Sequence, residues 1–344
     1  MAVRMSCPLC GSTVVPKGSI NPGALTRAYQ RTHQVDIDHL MRDVEQIQFC
    51  ECPNCGLGSF SPPVPGDGIF YADLAKSLDS IIRRRKAAFR AAPSTLLYET
   101  PVGSRQEFEF ASGYIEARMT VLEVGCGGCR FWDSLHPDIR NAIKYVGLEI
   151  DPTAVATGRA RHIDVRAERI EDHTRTILAQ YDVVCLFQVL EHVVDLQSFL
   201  RACLSCLRPG GHLIFSVPNA RSFLGYQPDN ILNMPPHHVT WWTELPIRYL
   251  AKDLDLAVET IVEDIVEPFY SRDFVKTLAV NYLRRLFRVR TKFELEGWSY
   301  RARRYAAAIA ARLLTPGLAE IGSVARGHSI TAVLKKGTAD APPF

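Results

Sequence analysis

The chain has 344 residues, of which 47% are hydrophobic and 22% charged, with a formal net charge of +3. That is enough apolar material for a sizeable core in two domains, or in one large domain with attachments, and it excludes global disorder. The near-neutral balance does not point to a nucleic-acid partner, no apolar run approaches the roughly 20 residues of a membrane span, and the start lacks a secretory apolar stretch, so a cytoplasmic chain is expected.

Ten cysteines, at positions 7, 10, 50, 52, 55, 126, 129, 185, 203 and 206, need sorting. A chain of this length and compartment is not a disulfide scaffold. Cys7-Pro-Leu-Cys10-Gly11 and Cys52-Pro-Asn-Cys55-Gly56 write one pattern twice. Two thiolates at i and i+3 around a tight turn, followed by a glycine free to take positive φ, place both sulfurs on one ion. Two such knuckles, Cys7, Cys10, Cys52 and Cys55, complete a closed S₄ shell that favours structural Zn²⁺ and leaves no open position for catalysis. Cys50 is a neighbour in an alternative register. Cys52 is preferred because it repeats the pattern. Residues 22–46 read as a largely helical insert between the knuckles.

A turn-rich connector, Ser61 to Gly68, follows. Helical patterning then runs from Tyr71 to about Tyr114, interrupted by Pro93 and Pro101. It carries the basic run Arg83, Arg84, Arg85, Lys86, read as a solvated helix face. Residues 1–65 are thus expected as a zinc-binding module and 66–117 as a helical linker or cap.

From Thr120 the pattern becomes strand, glycine turn, helix: Thr120–Val124, then Gly125-Cys-Gly-Gly-Cys129, then Arg130 onward. This is the first unit of a nucleotide-binding α/β sheet. A second strand, Tyr145–Ile150, ends with Glu149, placed to accept hydrogen bonds from ribose hydroxyls. Asp151 is an N-cap with Pro152 in the first turn. Further strands are expected near 164–166, at 181–187 and at 212–217, with an amphipathic helix over 196–207 ending in Arg208-Pro-Gly-Gly211. Strands alternating with helices predict a mostly parallel sheet. Cys185, Cys203 and Cys206 read as buried small hydrophobes. Cys126 and Cys129 read as loop residues and not metal ligands.

A dinucleotide fingerprint requires a small residue where Arg130 stands, which argues against a nicotinamide-dependent oxidoreductase. Four segments in order instead resemble class I S-adenosylmethionine-dependent methyltransferases. They are Glu123-Val-Gly125-Cys-Gly127, Tyr145 to Pro152, Tyr181 to Val193 with its Val-Leu-Glu-His run, and Leu207-Arg-Pro-Gly-Gly-His-Leu213. Asn233-Met-Pro-Pro-His-His-Val-Thr-Trp-Trp242 and the paired knuckles resemble a bacterial branch of that family, with members in cell-surface polysaccharide and secondary-metabolite pathways.

The resemblance implies a Rossmann-like methyltransferase domain over 118–337 whose last strand, near 328–334, is antiparallel. It implies S-adenosylmethionine as cofactor. Glu123 lies by its methionine end, with Gly125, Cys126 and Gly127 passing beneath it. Glu149, with Ile150 beside it, takes the ribose. Ile170 and Glu171 lie near adenine, and Gln188 near the methyl group. Cys129 stands where many members have a third glycine. His192 is either structural or on the substrate side.

His237 and His238 lie on the loop after the fifth strand, outside the strands' carboxyl ends, and are candidates for a general base or substrate contact. An alternative is a helix cap or packing beneath Trp241 and Trp242. The expected function is methyl transfer to an oxygen, carbon or nitrogen of a small molecule or glycan precursor. A catalytically inactive methyltransferase-like protein that grips RNA or protein through the zinc module is the alternative from another class.

A helical insert is expected over 271–322. Residues 271–315 hold 11 Lys/Arg against 3 Asp/Glu, a local +8 hidden by the chain's total. These basic amphipathic helices are read as a cap on the sheet, with contact to anionic lipid, an anionic substrate or another subunit as alternatives. Acceptor and oligomeric state are not legible.

Overall fold

The computed structural model describes residues 5–90, 106–266, 270–315 and 326–338, with only the backbone described at 82 and 84–90. The side chains of Arg84, Arg85 and Lys86, the positions Pro93 and Pro101, and the insert beyond 315 lie outside the described residues. Arg83 is exposed and pairs with Asp79 one turn back.

In chain order, the first part holds β1 (Val15–Ile20), α1 (Pro22–His33), α2 (Asp38–Met41), β2 (Ile47–Glu51), β3 (Gly58–Ser61) and α3 (Gly68–Arg90). After 105 come α4 (Gln106–Ser112), β4 (Thr120–Val124), α5 (Arg130–Ser134), α6 (Pro137–Ala142), β5 (Lys144–Leu148), α7 (Pro152–Ala160), β6 (Val165–Arg166), α8 (Ile170–His173), β7 (Tyr181–Phe187), α9 (Leu196–Cys206) and β8 (Leu207–Pro218). The chain continues with β9 (Thr240–Trp241), α10 (Glu244–Asp253), β10 (Leu256–Ile265), α11 (Ser271–Leu286), α12 (Trp298–Leu314) and β11 (Arg326–Lys336).

The large sheet runs β10-β11-β8-β7-β4-β5-β6. Strands β4 to β8 pair in parallel, while β11 is antiparallel to both β8 and β10. This is the expected α/β, Rossmann-like sheet with an antiparallel last strand. Both faces are covered, which is why β7 is buried at every residue. Alternation divides the faces. Leu122, Val124, Val184 and Phe215 pack with α9 and α10 on one side. Val121, Val183 and Ile214 pack with Phe108 and Phe131 on the other. Asp195 caps α9 by accepting from the Ser198 amide at 3.1 Å, and Asp151 caps α7 through the Thr153 amide at 2.8 Å. Helix α9 buries Leu196, Phe199, Leu200, Cys203 and Cys206. Each large apolar side chain so buried contributes about 1.5–3 kcal/mol.

Arg208-Pro-Gly-Gly211 reads as a turn in sequence but belongs to the start of β8. The pairing register with β7 shifts between Tyr181 and Val183, absorbing the extra residues as a bulge. Gly211 is required there, because a Cβ would sit 2.8 Å from the Asp182 carbonyl oxygen.

The second sheet, β1-β2-β3-β9, is antiparallel. Its last strand comes from Thr240–Trp241, almost 180 residues downstream of its neighbour β3. Phe49 and Phe60 pack against Trp241 and Phe293, so the segment between α11 and α12 reaches back into the N-terminal core. The +8 lobe is consequently not a uniformly solvated face. Arg284 and Arg303 are buried, and both bond the carboxylate of Glu294.

Removing one member of a buried charge network strands the others at high cost. Glu294→Ala is expected to lower unfolding stability by about 3–5 kcal/mol in chemical denaturation. An unchanged midpoint would mean that water reaches both guanidinium groups.

Candidate functional site

The two knuckles come together as the spacing predicts. Gly11 (φ +71°) and Gly56 (φ +78°) take the left-handed conformation. Their amides donate to the carbonyls of Cys7 and Cys52, each at 2.9 Å, closing the turns. One sulfur from each of Cys7, Cys10, Cys52 and Cys55 lies within 4.8 Å of the others. Cross-knuckle pairs are 3.5 Å (Cys7–Cys55) and 3.4 Å (Cys10–Cys52), too long for disulfides and close to the edge of a tetrahedral S₄ shell. The hydrogen bond shared by the Cys7 and Cys55 sulfurs draws the Cys7 thiol below its ordinary pKa. Cys50 is buried on β2 with its sulfur toward Met5 and is outside the cluster. The knuckles are not a free appendage. Leu9 accepts from Gln197 of α9 at 3.0 Å, and Gly56 leaves room for Leu245 of α10.

The glycine loop joins β4 to α5. Gly125 (φ +72°) and Gly127 (φ +49°) are left-handed. A Cβ on Gly125 would lie 2.8 Å from Val189 Cγ2, so the loop sits directly on the segment following β7. The two cysteines of the loop are matched by glycines elsewhere. Cys126 Sγ would be 2.7 Å from a Cβ at Gly147 of β5, and Cys129 Sγ 3.2 Å from one at Gly158 of α7. Cys129 itself has φ +60° and caps α5. It holds the left-handed geometry that a glycine would adopt without strain, and its buried thiol packs beside Val155 and Val165.

Glu149 accepts from the Gly127 amide at 2.7 Å, and from Ile150 and Asp151 at 2.7 and 2.9 Å. Its carboxylate therefore stands between the carboxyl ends of β4 and β5. Ile150 beside it is 67% exposed, an apolar surface at the rim. Other expected cofactor residues sit differently. Glu123 is buried and accepts from Tyr145 Oη, so it underpins the loop from the core. Ile170 is only 1% exposed, leaving its backbone alone for an adenine contact, and Glu171 lies half-buried at the start of α8. Gln188 (φ +58°) donates its amide to Ser216 and Ser329 at 3.2 and 3.1 Å, which turns it toward β8 and β11.

The histidines converge. Val239 N donates to the Glu191 carbonyl at 2.8 Å, and Thr240 Oγ1 to the Leu190 carbonyl at 3.3 Å. This zips the loop after β8 onto a one-turn 3₁₀ helix, Leu190–His192, that follows β7. The His237 and His238 amides both donate to the Met234 carbonyl, and their rings stack 4.4 Å apart. His192 meets both edge-on, at 4.8 and 4.9 Å. Burial pushes all three below the ordinary imidazole range, to about 4 for His192, about 3 for His237 and well down for His238. They are neutral near pH 7. Trp241 packs at the second sheet and neither histidine caps α10, whose N-cap is Thr243. Tyr71 of α3 adds a residue that no motif marks. Its hydroxyl lies 3.1 Å from His192 Nδ1. Only packing could reveal it, because α3 is far from the motifs in sequence.

Residues 99–261 match a family model described as a methyltransferase domain. The match spans the glycine loop and strands β4 to β8. Ubiquinone biosynthesis O-methyltransferases of Escherichia coli O127:H6 and Shigella boydii serotype 18 are each 37% identical to it over 119 residues, 31% of this chain and 48% of the relative. The chain thus spans about half the length of the curated relatives it matches. Among solved structures, coclaurine N-methyltransferase is 16% identical with a TM-score of 0.44, covering 70% of this chain and 75% of that one. Geranyl diphosphate methyltransferase is 15% identical with a TM-score of 0.40, covering 67% and 78%.

Within the matched segment, the cysteine–glycine match is testable. Gly147→Ala should cost about 1–3 kcal/mol in urea denaturation by crowding Cys126. Adding Cys126→Ala should recover most of the loss. A double variant no more stable than Gly147→Ala alone would refute the steric pairing.

Proposed function

We propose that the chain transfers a methyl group from S-adenosylmethionine to a small-molecule acceptor. One observation carries the reading: Glu149 is drawn against the Gly127 amide where the glycine loop crosses the carboxyl ends of β4 and β5. That crossing is where open α/β sheets bind ligands, and a carboxylate there suits a ribose diol. The donor set fits the cofactor. Left-handed Gly125 and Gly127 let backbone approach it, and exposed Ile150 offers an apolar face to a base. When bound, the cofactor supplies a sulfonium methyl electrophilic enough that transfer chiefly needs alignment.

His192, His237 and His238 take the acceptor side. They follow β7 and β8 at the sheet's carboxyl end, and the His192 amide donates to the carbonyl of Val189, whose side chain lies against Gly125. There they bind the acceptor or receive its proton. The O-methyltransferase relatives favour an oxygen acceptor. A glycan precursor is supported by the paired knuckles and the Pro-Pro-His-His segment. The four-cysteine cluster is assigned to structural Zn²⁺, since its donor set is all sulfur and its shell is closed.

Glu149→Ala should weaken S-adenosylmethionine binding more than tenfold in calorimetry. Unchanged affinity would sink the ribose assignment.

Helices α11 and α12 carry exposed Leu278, Tyr282, Leu286, Trp298 (84% exposed), Tyr305 and Ile309 among arginines. We assign this face to anionic lipid, because apolar insertion and headgroup attraction act together there. The protein should co-sediment with vesicles containing phosphatidylglycerol, much less with neutral phosphatidylcholine, and Trp298→Ala should weaken it. Absence of co-sedimentation would eliminate the lipid and leave an anionic substrate or a subunit.

A further inference from the structure

The three histidines share a hydrogen-bonding pattern that goes beyond packing. His237 Nδ1 lies 2.8 Å from the Leu232 carbonyl, and His192 Nδ1 lies 2.5 Å from the His237 carbonyl. A carbonyl only accepts, so both Nδ1 atoms carry the proton. His238 Nδ1 faces the Asn233 side-chain oxygen at 3.0 Å in the same sense. In each neutral ring the Nε2 lone pair is therefore left over. One ring nitrogen of each of the three lies within 4.8 Å of the others. His192 Nε2 and His238 Nε2 also approach one carboxylate oxygen, Glu191 Oε1, at 3.8 and 4.0 Å.

An imidazole pinned through Nδ1 to an oxygen, with its other nitrogen left to ligate, is how proteins orient metal-binding histidines. Core histidines packed for shape alone have no reason to share one tautomer. The backbone is arranged for the same end: two amides on the Met234 carbonyl make consecutive side chains point to one side.

We propose that His192, His237 and His238, with Glu191 alongside, bind one divalent transition-metal ion, separate from the four-cysteine cluster. Three neutral imidazoles select zinc, cobalt, nickel or iron over magnesium and calcium, and the neighbouring Glu191 carboxylate balances the ion's charge. Three histidine ligands leave a position open, unlike the sulfur shell. His192 keeps 23% of its side chain exposed, which gives the ion a route in. Resting on the methyl-transfer reading above, the open position is where an acceptor hydroxyl would bind, the ion's charge lowering its pKa so that the proton passes to solvent and the oxygen takes the methyl group. The binding claim itself does not need that reading.

The test uses the full chain with zinc already in the cysteine cluster, dialysed against cobalt(II). Bound cobalt is counted by elemental analysis, and its site is identified by absorption, since thiolate ligation gives a strong near-ultraviolet charge-transfer band that nitrogen and oxygen ligands do not. About one cobalt per chain without that band is expected, and His192→Gln, His237→Gln and His238→Gln should each weaken its binding at least tenfold. His192→Gln is the variant least able to disturb the core, and its melting temperature serves as the folding control. The proposal is overturned if the parent takes up no cobalt beyond the cysteine cluster, if the cobalt shows the thiolate band, or if His192→Gln with parental melting binds cobalt as tightly as the parent. Cofactor calorimetry on the same preparations separates the two ideas. Cofactor binding without cobalt refutes only the metal site, and cobalt binding without cofactor refutes only the methyl-transfer reading.

Discussion

The segment from Asn233 to Trp242 is the tie on which the molecule's organisation depends. It does two jobs within three residues. Val239 and Thr240 bond the turn after β7, while Thr240 and Trp241 pair with β3 of the N-terminal sheet. Phe60 N also donates to the Val239 carbonyl. A strand of two residues contributes little by itself. It holds because Trp241 and Trp242 are anchored in two different cores, one with Phe49 and Phe60, the other beside Phe215. Position of the histidines and placement of the knuckle sheet are thus consequences of one short run.

The glycine loop between β4 and α5 illustrates a different constraint, complementarity between small and larger groups. Cysteines at 126 and 129 enlarge a loop that ordinarily economises on side chains. The volume is accommodated by glycines on the neighbouring β5 and α7. Close packing requires such an exchange, because an interior with native density has no slack for one extra sulfur. The cost of a left-handed Cys129 is offset by complete burial of its thiol.

Electrostatics in the C-terminal lobe separate into two populations. Arg284 and Arg303 share Glu294 in the interior, and Lys292 lies over the Phe49 and Trp241 rings. These charges fasten the lobe to the N-terminal core. The others, including Arg285, Arg301, Arg304 and Arg312, remain at the surface beside exposed aromatic and aliphatic groups. Net charge per segment cannot distinguish the two, since it records composition and not which face a side chain takes.

What the sequence determined by itself was everything encoded locally. Strand–glycine–helix order, the Asp151 cap, the C-P-x-C-G knuckles and the alternation of apolar strands depend on neighbours within a few positions, so β4 to β7, β11 and the four cysteines were legible. Glu149 was legible too, because its place at a strand's end follows from spacing. The orientations of Glu123, Ile170 and Gln188 were not, as each depends on a partner elsewhere: Tyr145, the core beneath α8, and Ser216 with Ser329. Nor could the sequence join His192 to a pair 45 residues away, or add Tyr71 from a helix 121 residues before it. Tertiary structure decided those meetings. Side-chain direction is settled by long-range backbone pairing and burial, and neither leaves a periodic trace in the residues that it unites.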